Sequence, residues 1–206
     1  RALAVQEKAY GPDHLVVAFP VTKLADIHSV EGERQRADAL FERSLAIREN
    51  ALGPDHPDLT WTLRPWAGHL ARAGEPERAR QVIERALTIA ERAFGPEGPE
   101  VSYCLLAWAL LELGEGQYEP AAALLERTLA IQRKLYGPRH AVVGRSLYNL
   151  ACVRSRQGNA EAALGHLREA MDAGWASPLI LDDPDLDGLR GDPRFEALLA
   201  EVKARL

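Results

Sequence analysis

The sequence predicts an all-α fold, a solenoid of stacked antiparallel helical hairpins, and three observations support this prediction. A glycine-proline corner recurs every 42 residues, as "YGPDH" at 10, "LGPDHP" at 52, "FGPEGP" at 94 and "YGPRH" at 136. Other residue types recur in the same register. Between the recurring positions, apolar residues follow at intervals of three and four, which is the period of a helix with one buried face. Self-similarity at a fixed period is typical of repeat architectures.

Four further columns of residues share this register, and each is small or apolar. They are Gly32, Gly74, Gly116 and Gly158; Ala37, Ala79, Ala121 and Ala163; Leu3, Leu45, Leu87 and Leu129; and Val5, Ile47, Ile89 and Ile131. Several independent columns in one register indicate a real repeat, so each unit is predicted to be one helical hairpin.

The predicted helices end at glycines, which can adopt the left-handed conformation that closes a helix. The proline that follows at each corner cannot continue the helix. The expected helices span 1–9, 17–31, 34–51, 59–73, 76–93, 100–114, 118–135, 141–157 and 160–173, followed by short helices at 178–181 and 184–190 and a longer one at 193–205.

Histidines at three of the four corners, His14, His56 and His140, allow either a repeated binding site or a repeated turn. They occur once per repeat, and Gly98 stands in the third corner, so a metal or catalytic site is disfavoured. We expect the corner to turn the chain, with Asp13 or Asp55 accepting hydrogen bonds from nearby backbone N–H groups.

Composition and charge exclude several classes of protein. The net charge of -5 argues against a nucleic-acid or anionic-membrane surface as the main role. No stretch approaches the roughly 20 apolar residues of a membrane span. Cys104 and Cys152 form no CxxC pattern or disulfide framework, which favours a reducing compartment, so a cytoplasmic protein is predicted.

The phrases "LYNLACVRSRQGNAEAALGHLREAM" and "ERALTIAERAFGPEGPEV" resemble tetratricopeptide repeats, the second that of the 42-residue kinesin-light-chain type. The closing "DDPDLDGLRGDPRFEALLAEVKARL" resembles the end of many bacterial proteins of this kind, often attached to a Ser/Thr kinase, cyclase or regulator domain. The resemblance implies a right-handed superhelix, with a repeat array over 1–173 whose first repeat is incomplete and a C-terminal helical cap over 174–206. It also implies a protein-interaction module and not an enzyme.

The sequence contains no complete motif of an enzyme, a metal site or a cofactor site. Asp183, Asp185, Asp187 and Gly188 match the start of a calcium loop, but Arg194 occupies the place where the loop needs a glutamate. Helix capping by these aspartates is therefore the preferred explanation. In the cap, Phe195, Leu198, Leu199 and Val202 are expected to form one buried face.

In tetratricopeptide proteins the first helix of each hairpin lines the concave surface, which here implies a peptide-binding groove. The implied groove residues are Phe19, Lys23, Trp61, Arg64, Arg72, Tyr103, Leu106, Arg145, Tyr148, Asn149 and Arg156. Five of them are basic, against one acid at this surface, Asp26, so an acidic peptide or a C-terminal carboxylate is favoured. The alternative is that these are ordinary surface charges with aromatic spacers between helices. Of the asparagines with which the family grips peptide backbones, only Asn149 is present, because Lys23, Pro65 and Ala107 replace the others.

Two predictions concern the fourth helix and its neighbours. Pro65 removes a helical hydrogen bond, so a kink or break is expected near 61–65. Trp66 and Trp108 occupy equivalent positions and are expected in the core.

The predicted function is a protein-interaction scaffold, the C-terminal part of a larger bacterial protein, since the sequence begins in mid-pattern at Arg1. The alternative is a structural spacer or oligomerisation module for an upstream catalytic domain. The apolar stripe Leu3, Val5 and Ala9 on the first helix favours self-association in that case.

Overall fold

The computed structural model describes residues 2 to 205, so the predicted array and cap each extend one residue beyond the described part, at residues 1 and 206. The helices are α1 (Ala2–Tyr10), α2 (Leu15–Val30), α3 (Arg34–Leu52), α4 (Thr60–Arg72), α5 (Pro76–Phe94), α6 (Pro99–Gly114), α7 (Tyr118–Tyr136), α8 (Ala141–Arg156), α9 (Ala160–Asp172) and α10 (Pro193–Arg205). Three 3₁₀ turns span Pro57–Leu59, Pro178–Leu181 and Pro184–Leu189, and residues 2–205 contain no strand. The predicted helix bounds differ from these by at most two residues.

The chain divides into two compact units, one ending at Ala107 and the other beginning at Trp108, within α6. In the first unit α2 pairs with α3 and α4 with α5, while α2 also contacts α1 and α4. In the second unit α8 pairs with α9 and contacts α7. The turn Pro184–Leu189 packs on α8, and α10 contacts α9.

The core of the α2–α3 hairpin includes one member from each of two repeating columns, Ile47 and Ala37. Val17, Ala18 and Val21 of α2 pack against Ile47 of α3, and a second cluster joins Ala25, Ala37 and Phe41. The alanine column is fully buried in all four repeats. Because alanine has the smallest apolar side chain that keeps good helix propensity, it lets paired helices approach closely.

Glycine ends the helices for a conformational reason. Gly53 follows α3 with a φ of 91°, and Gly74 follows α4 with a φ of 77°. A Cβ at either position would meet no atom within 4 Å, so the left-handed backbone, and not a lack of space, selects glycine there.

The corner histidines, and not the aspartates that precede two of them, cap the helices that follow. The Nδ1 atoms of His14, His56 and His140 accept hydrogen bonds from the backbone N–H two residues later, at 3.2 to 3.3 Å. The expected caps by Asp13 and Asp55 are therefore wrong. In the third corner a Cβ at Gly98 would lie 2.4 Å from the Cβ of Phe94, so this corner has no room for the histidine.

The helix α4 runs without interruption past Pro65, so a break is wrong, and a kink near 61–65 stays a prediction. A second proline, Pro20, lies inside α2 in the same way. Trp66 and Trp108 are half-buried, where the sequence placed them in the core. Trp66 stacks on Phe41 at 6.4 Å between ring centroids.

Within each unit, ion pairs join the second helix of one repeat to the second helix of the next. Arg43 donates to Glu7 of α1 at 2.7 Å, and Arg85 of α5 donates to Glu49 of α3 at 2.6 Å. Both arginines also donate to a corner carbonyl, that of Pro12 or Pro54. At the equivalent positions of α7 and α9 the charges are exchanged, and Arg133 donates to Glu169 at 2.8 Å.

A buried polar network joins α2, α3 and α4. The hydroxyl oxygen of Ser44 lies 2.6 Å from that of Thr22 and 3.0 Å from that of Thr62. Arg48, itself buried, donates from Nε to Thr62 at 3.1 Å. Desolvation lowers the pKa of the Arg48 guanidinium below its ordinary value.

Among residues 2–205, no helix combines the length and apolar character needed to cross a membrane.

Candidate interaction surface

Three aromatic residues occupy equivalent positions near the start of successive first helices in the first unit. Phe19 of α2 and Trp61 of α4 are exposed, and Tyr103 of α6 is half-buried. The Lys23 ammonium lies over the Phe19 ring at 5.6 Å from its centroid, one helical turn away. Aromatic faces and cations thus alternate along this surface.

Arg64 occupies the space between two of these rings. Its guanidinium carbon lies 5.6 Å from the centroid of Trp61 and 5.2 Å from that of Tyr103. A cation within about 6 Å of an aromatic face is attracted by the ring quadrupole. The two rings therefore hold the guanidinium in place before any partner binds.

The Arg64 guanidinium keeps unused donors. Its Nη2 lies 3.7 Å from Oε2 of Glu100, which is an ion pair but too long for a hydrogen bond. Nε of Arg64 and Oε2 of Glu100 are both buried without a hydrogen-bond partner. Glu100 thus offsets part of the positive charge of Arg64 at this surface.

Arg72 lies farther along α4, about 12 Å from Arg64 along the helix axis at 1.5 Å per residue. Its Nη2 donates to the hydroxyl of Ser29 at 2.7 Å. Arg72 is exposed, so part of its guanidinium still faces solvent.

Leu106 and Tyr148 do not offer the surface that was expected of them. They are only 6% and 5% exposed. The Tyr148 hydroxyl donates to Oδ2 of Asp183, and its ring stacks on Trp175 at 4.1 Å. The segment that follows α9 therefore covers Tyr148, a long-range contact that aligning the repeats could not reveal.

The remaining predicted residues lie on α8, in the second unit. Arg145 is exposed and Asn149 is half-buried. Arg156 donates from Nε to the Tyr118 hydroxyl at 3.1 Å and lies 3.8 Å from a carboxylate oxygen of Asp185. Among the described residues, Lys23 and Arg145 have no ion-pair partner, whereas Arg64 and Arg156 do.

The aspartates that resemble a calcium loop act as caps and partners. Asp183 accepts from the backbone N–H of Asp185 at 2.9 Å, and Asp187 accepts from Arg190 at 2.7 Å. Burial raises the pKa values of Tyr148 and of Cys152, which lies 3.8 Å from Asp183, so both remain protonated donors.

One polar cluster of the first unit lies outside the predicted set. His69 lies 2.8 Å from the hydroxyl of Ser29 through Nδ1 and 3.0 Å from Asp38 through Nε2. The sequence carried a signal for it, because His69 interrupts a column whose other members are Ile27, Leu111 and Val153.

Comparison with known proteins agrees with this architecture. Two family models described as tetratricopeptide repeat match the chain, one at residues 58–134 and 106–173 and the other at 22–58. Among curated proteins, none matches the chain.

Two solved structures share the fold. A kinesin light chain from Podosopora anserina with nearly identical TPR-like repeats has a TM-score of 0.70 and 22% identity, over 93% of this chain and 95% of that one. BtubC (BKLC) from P. vanneervenii has a TM-score of 0.76 and 18% identity, over 98% of this chain and 85% of that one. These similarities confirm the expected solenoid of antiparallel helical hairpins.

Proposed function

The chain belongs to the tetratricopeptide-repeat family, and from this premise we propose that it is a protein-interaction scaffold that holds an acidic peptide segment on the first helices of its hairpins. The observation that supports the proposal is the Arg64 guanidinium, which lies between the rings of Trp61 and Tyr103 beside the exposed Trp61 side chain. Leu106 and Tyr148 are not part of the proposed surface because both are buried.

The aromatic residues and Arg64 have distinct parts in this proposal. The faces of Phe19 and Trp61 bury apolar groups of the segment, which supplies most of the affinity. Arg64 pairs with a carboxylate of the segment, and Lys23 and Arg72 lie on either side of it along the first helices. The roles of Arg145, Asn149 and Arg156 in the second unit stay predictions.

The experiment measures binding of fluorescein-labelled octapeptides rich in Asp, Glu and Leu by fluorescence polarisation. Matched peptides carry Asn and Gln in place of the acids. We expect tighter binding of the acidic peptides, and a loss of about tenfold or more for Arg64→Gln, because a hydrogen bond to a charged group contributes about 1.5–3 kcal/mol. Arg92→Gln on α5, whose side chain is well exposed, is the matched control.

Equal affinity for acidic and neutral peptides would show that the basic residues do not select the partner. If Arg64→Gln binds the acidic peptides as tightly as wild type, Arg64 does not contact the peptide. A charge-reversed double variant, Arg64→Glu with Arg72→Glu, should weaken acidic peptides further while the helical circular dichroism stays unchanged.

A second candidate function is a structural spacer or oligomerisation module for an upstream catalytic domain. Val5 favours it, because Val5 is 68% exposed whereas Ile47 in the same column is 3% exposed. Light scattering of Val5→Glu against Ala4→Glu distinguishes the two candidates. Self-association that Val5→Glu abolishes and Ala4→Glu leaves intact supports this function, and a monomer at every concentration argues against it. Cytoplasmic location and bacterial origin stay predictions.

A further inference from the structure

Four polar side chains from three helices meet at one end of the first unit. Ser29 lies in the last turn of α2, Asp38 near the start of α3, and His69 and Arg72 near the end of α4. The Ser29 hydroxyl oxygen is 2.8 Å from Nδ1 of His69 and 2.7 Å from Nη2 of Arg72. Nε2 of His69 is 3.0 Å from a carboxylate oxygen of Asp38.

Hydrogen-bond chemistry fixes the direction of each bond in the neutral cluster. The Asp38 carboxylate only accepts, so Nε2 of His69 carries the proton that it receives. A neutral imidazole then presents a lone pair at Nδ1, and Ser29 donates its hydroxyl proton to it. Arg72 only donates, so it donates to the Ser29 oxygen. A hydroxyl is thereby bonded to a base that a carboxylate orients, which is the arrangement of an activated nucleophile.

The cluster opens into a cavity of about 230 Å³. Its lining comprises Ser29, Gly32, Arg34, His69, Arg72 and Ala73. His69 is held rigidly, because it is buried and its ring lies 5.5 Å from that of Phe41. The cavity has room for a small acyl group next to Ser29, and Arg72 contributes to its lining.

We propose that Ser29 is a nucleophile for the hydrolysis of small carboxylic esters, with His69 as general base and Asp38 as a positioning residue. The Ser29 oxygen attacks the ester carbonyl carbon while its proton passes to Nδ1 of His69. The C–O bond to the alcohol breaks, and the leaving oxygen takes that proton. Water then attacks the acyl-serine, gives a proton to His69, and the Ser29 oxygen recovers it as the carboxylic acid leaves.

This activity goes beyond an interaction scaffold and departs from the expectation that the chain is not an enzyme. Compared with the Ser-His-Asp triad of serine hydrolases the two ring nitrogens are exchanged, because Ser29 bonds to Nδ1 and Asp38 to Nε2 of His69. The roles of the three residues do not depend on their order in the sequence, so no sequence motif marks the cluster. One sequence signal for this cluster was present. His69 is the polar member of a repeat column whose other members, Ile27, Leu111 and Val153, are apolar.

The test combines covalent labelling with turnover on the 206-residue chain. A fluorophosphonate probe should label Ser29, as mapped by mass spectrometry, and p-nitrophenyl acetate should be hydrolysed above the rate of the buffer. Ser29→Ala should abolish the label and lower the hydrolysis rate by about 100-fold or more, since general-base catalysis contributes roughly 10²–10⁴-fold. Ser102→Ala is the control, because the Ser102 hydroxyl donates only to a backbone carbonyl.

Asp38→Asn separates a catalytic arrangement from a structural one. The amide is nearly isosteric and favours the tautomer with a proton on Nδ1, which removes the base from Ser29. We expect labelling to slow by about 100-fold while circular dichroism and the melting temperature change little. Absence of a label on Ser29, or hydrolysis that Ser29→Ala leaves unchanged, overturns the proposal even if Asp38→Asn does not fold.

Discussion

Exchanging the charges of Arg133 and Glu169 tests the ion pair between consecutive second helices. The two side chains are 44% and 54% exposed, and Nη2 of Arg133 lies 2.8 Å from Oε2 of Glu169. A pair this exposed contributes about 0.2–1 kcal/mol to the free energy of unfolding. Each single reversal replaces attraction by repulsion of similar size, so Arg133→Glu and Glu169→Arg should each cost about 1 kcal/mol. The double variant should restore the wild-type value.

The pair Glu49 and Arg85 supplies the matched comparison, because there the arginine also donates to the carbonyl of Pro54 at 2.8 Å. A glutamate at position 85 cannot make that bond. The exchanged double variant Glu49→Arg with Arg85→Glu should therefore remain about 0.5–1.5 kcal/mol less stable than wild type, the usual contribution of one hydrogen bond.

The assay is urea unfolding followed by far-ultraviolet circular dichroism, at low salt and at 1 M salt. High salt shortens the Debye length to about 3 Å and should shrink the effects of the single reversals. The reasoning is refuted if the Arg133/Glu169 double variant is no more stable than its single variants, or if both double variants recover equally.

Three further predictions concern the repeat column that contains Val5 and Ile47, the helix cap at His140, and the two cysteine thiols. Ile47→Ala should lower the free energy of unfolding by about 2–5 kcal/mol, because Ile47 is buried. Val5→Ala, in the same column but exposed, should change it by no more than about 0.5 kcal/mol. Equal losses for the two variants in urea unfolding would contradict this difference in burial. His140→Ala should cost about 1 kcal/mol through loss of the acceptor for the Val142 N–H, and His140→Asp should retain the stability; unfolding that His140→Ala leaves unaltered would argue against the cap. Burial raises the pKa of Cys104 to about 12 and also raises that of Cys152, so iodoacetamide at pH 8 should modify neither thiol until urea unfolds the chain. Rapid alkylation of the folded chain, read by mass spectrometry, would contradict this burial.

The hairpins could be predicted closely because their signals are local. The period of 42 residues, the helical spacing of apolar residues and the glycines at helix ends each concern neighbours in sequence or equivalent positions in the repeat. The errors arose where local rules compete. Asp13 and Asp55 are good capping residues, but His14 and His56 stand one place later at the N-cap itself. The chain also accommodates Pro65 inside a continuous helix.

The interaction surface was only partly predictable. The 42-residue register placed Phe19, Trp61 and Tyr103 at equivalent positions, and the structure brings Arg64 between two of these rings. Glu100, which pairs with Arg64, lies outside the aligned set and was therefore missed. Partners of a side chain depend on which helices pack together and at what distance, and a periodic pattern does not contain that information.

The sequence by itself determined the repeat, the helices and the residues that terminate them, since backbone conformation and one-sided burial follow from residue type and spacing. Only the tertiary structure decided which side chains remain available. It buried Tyr148 beneath Trp175 and Asp183, and it placed Ser29, Asp38 and His69 within hydrogen-bonding distance. These contacts join residues 27 to 40 positions apart in the chain, and only helix packing brings such residues together.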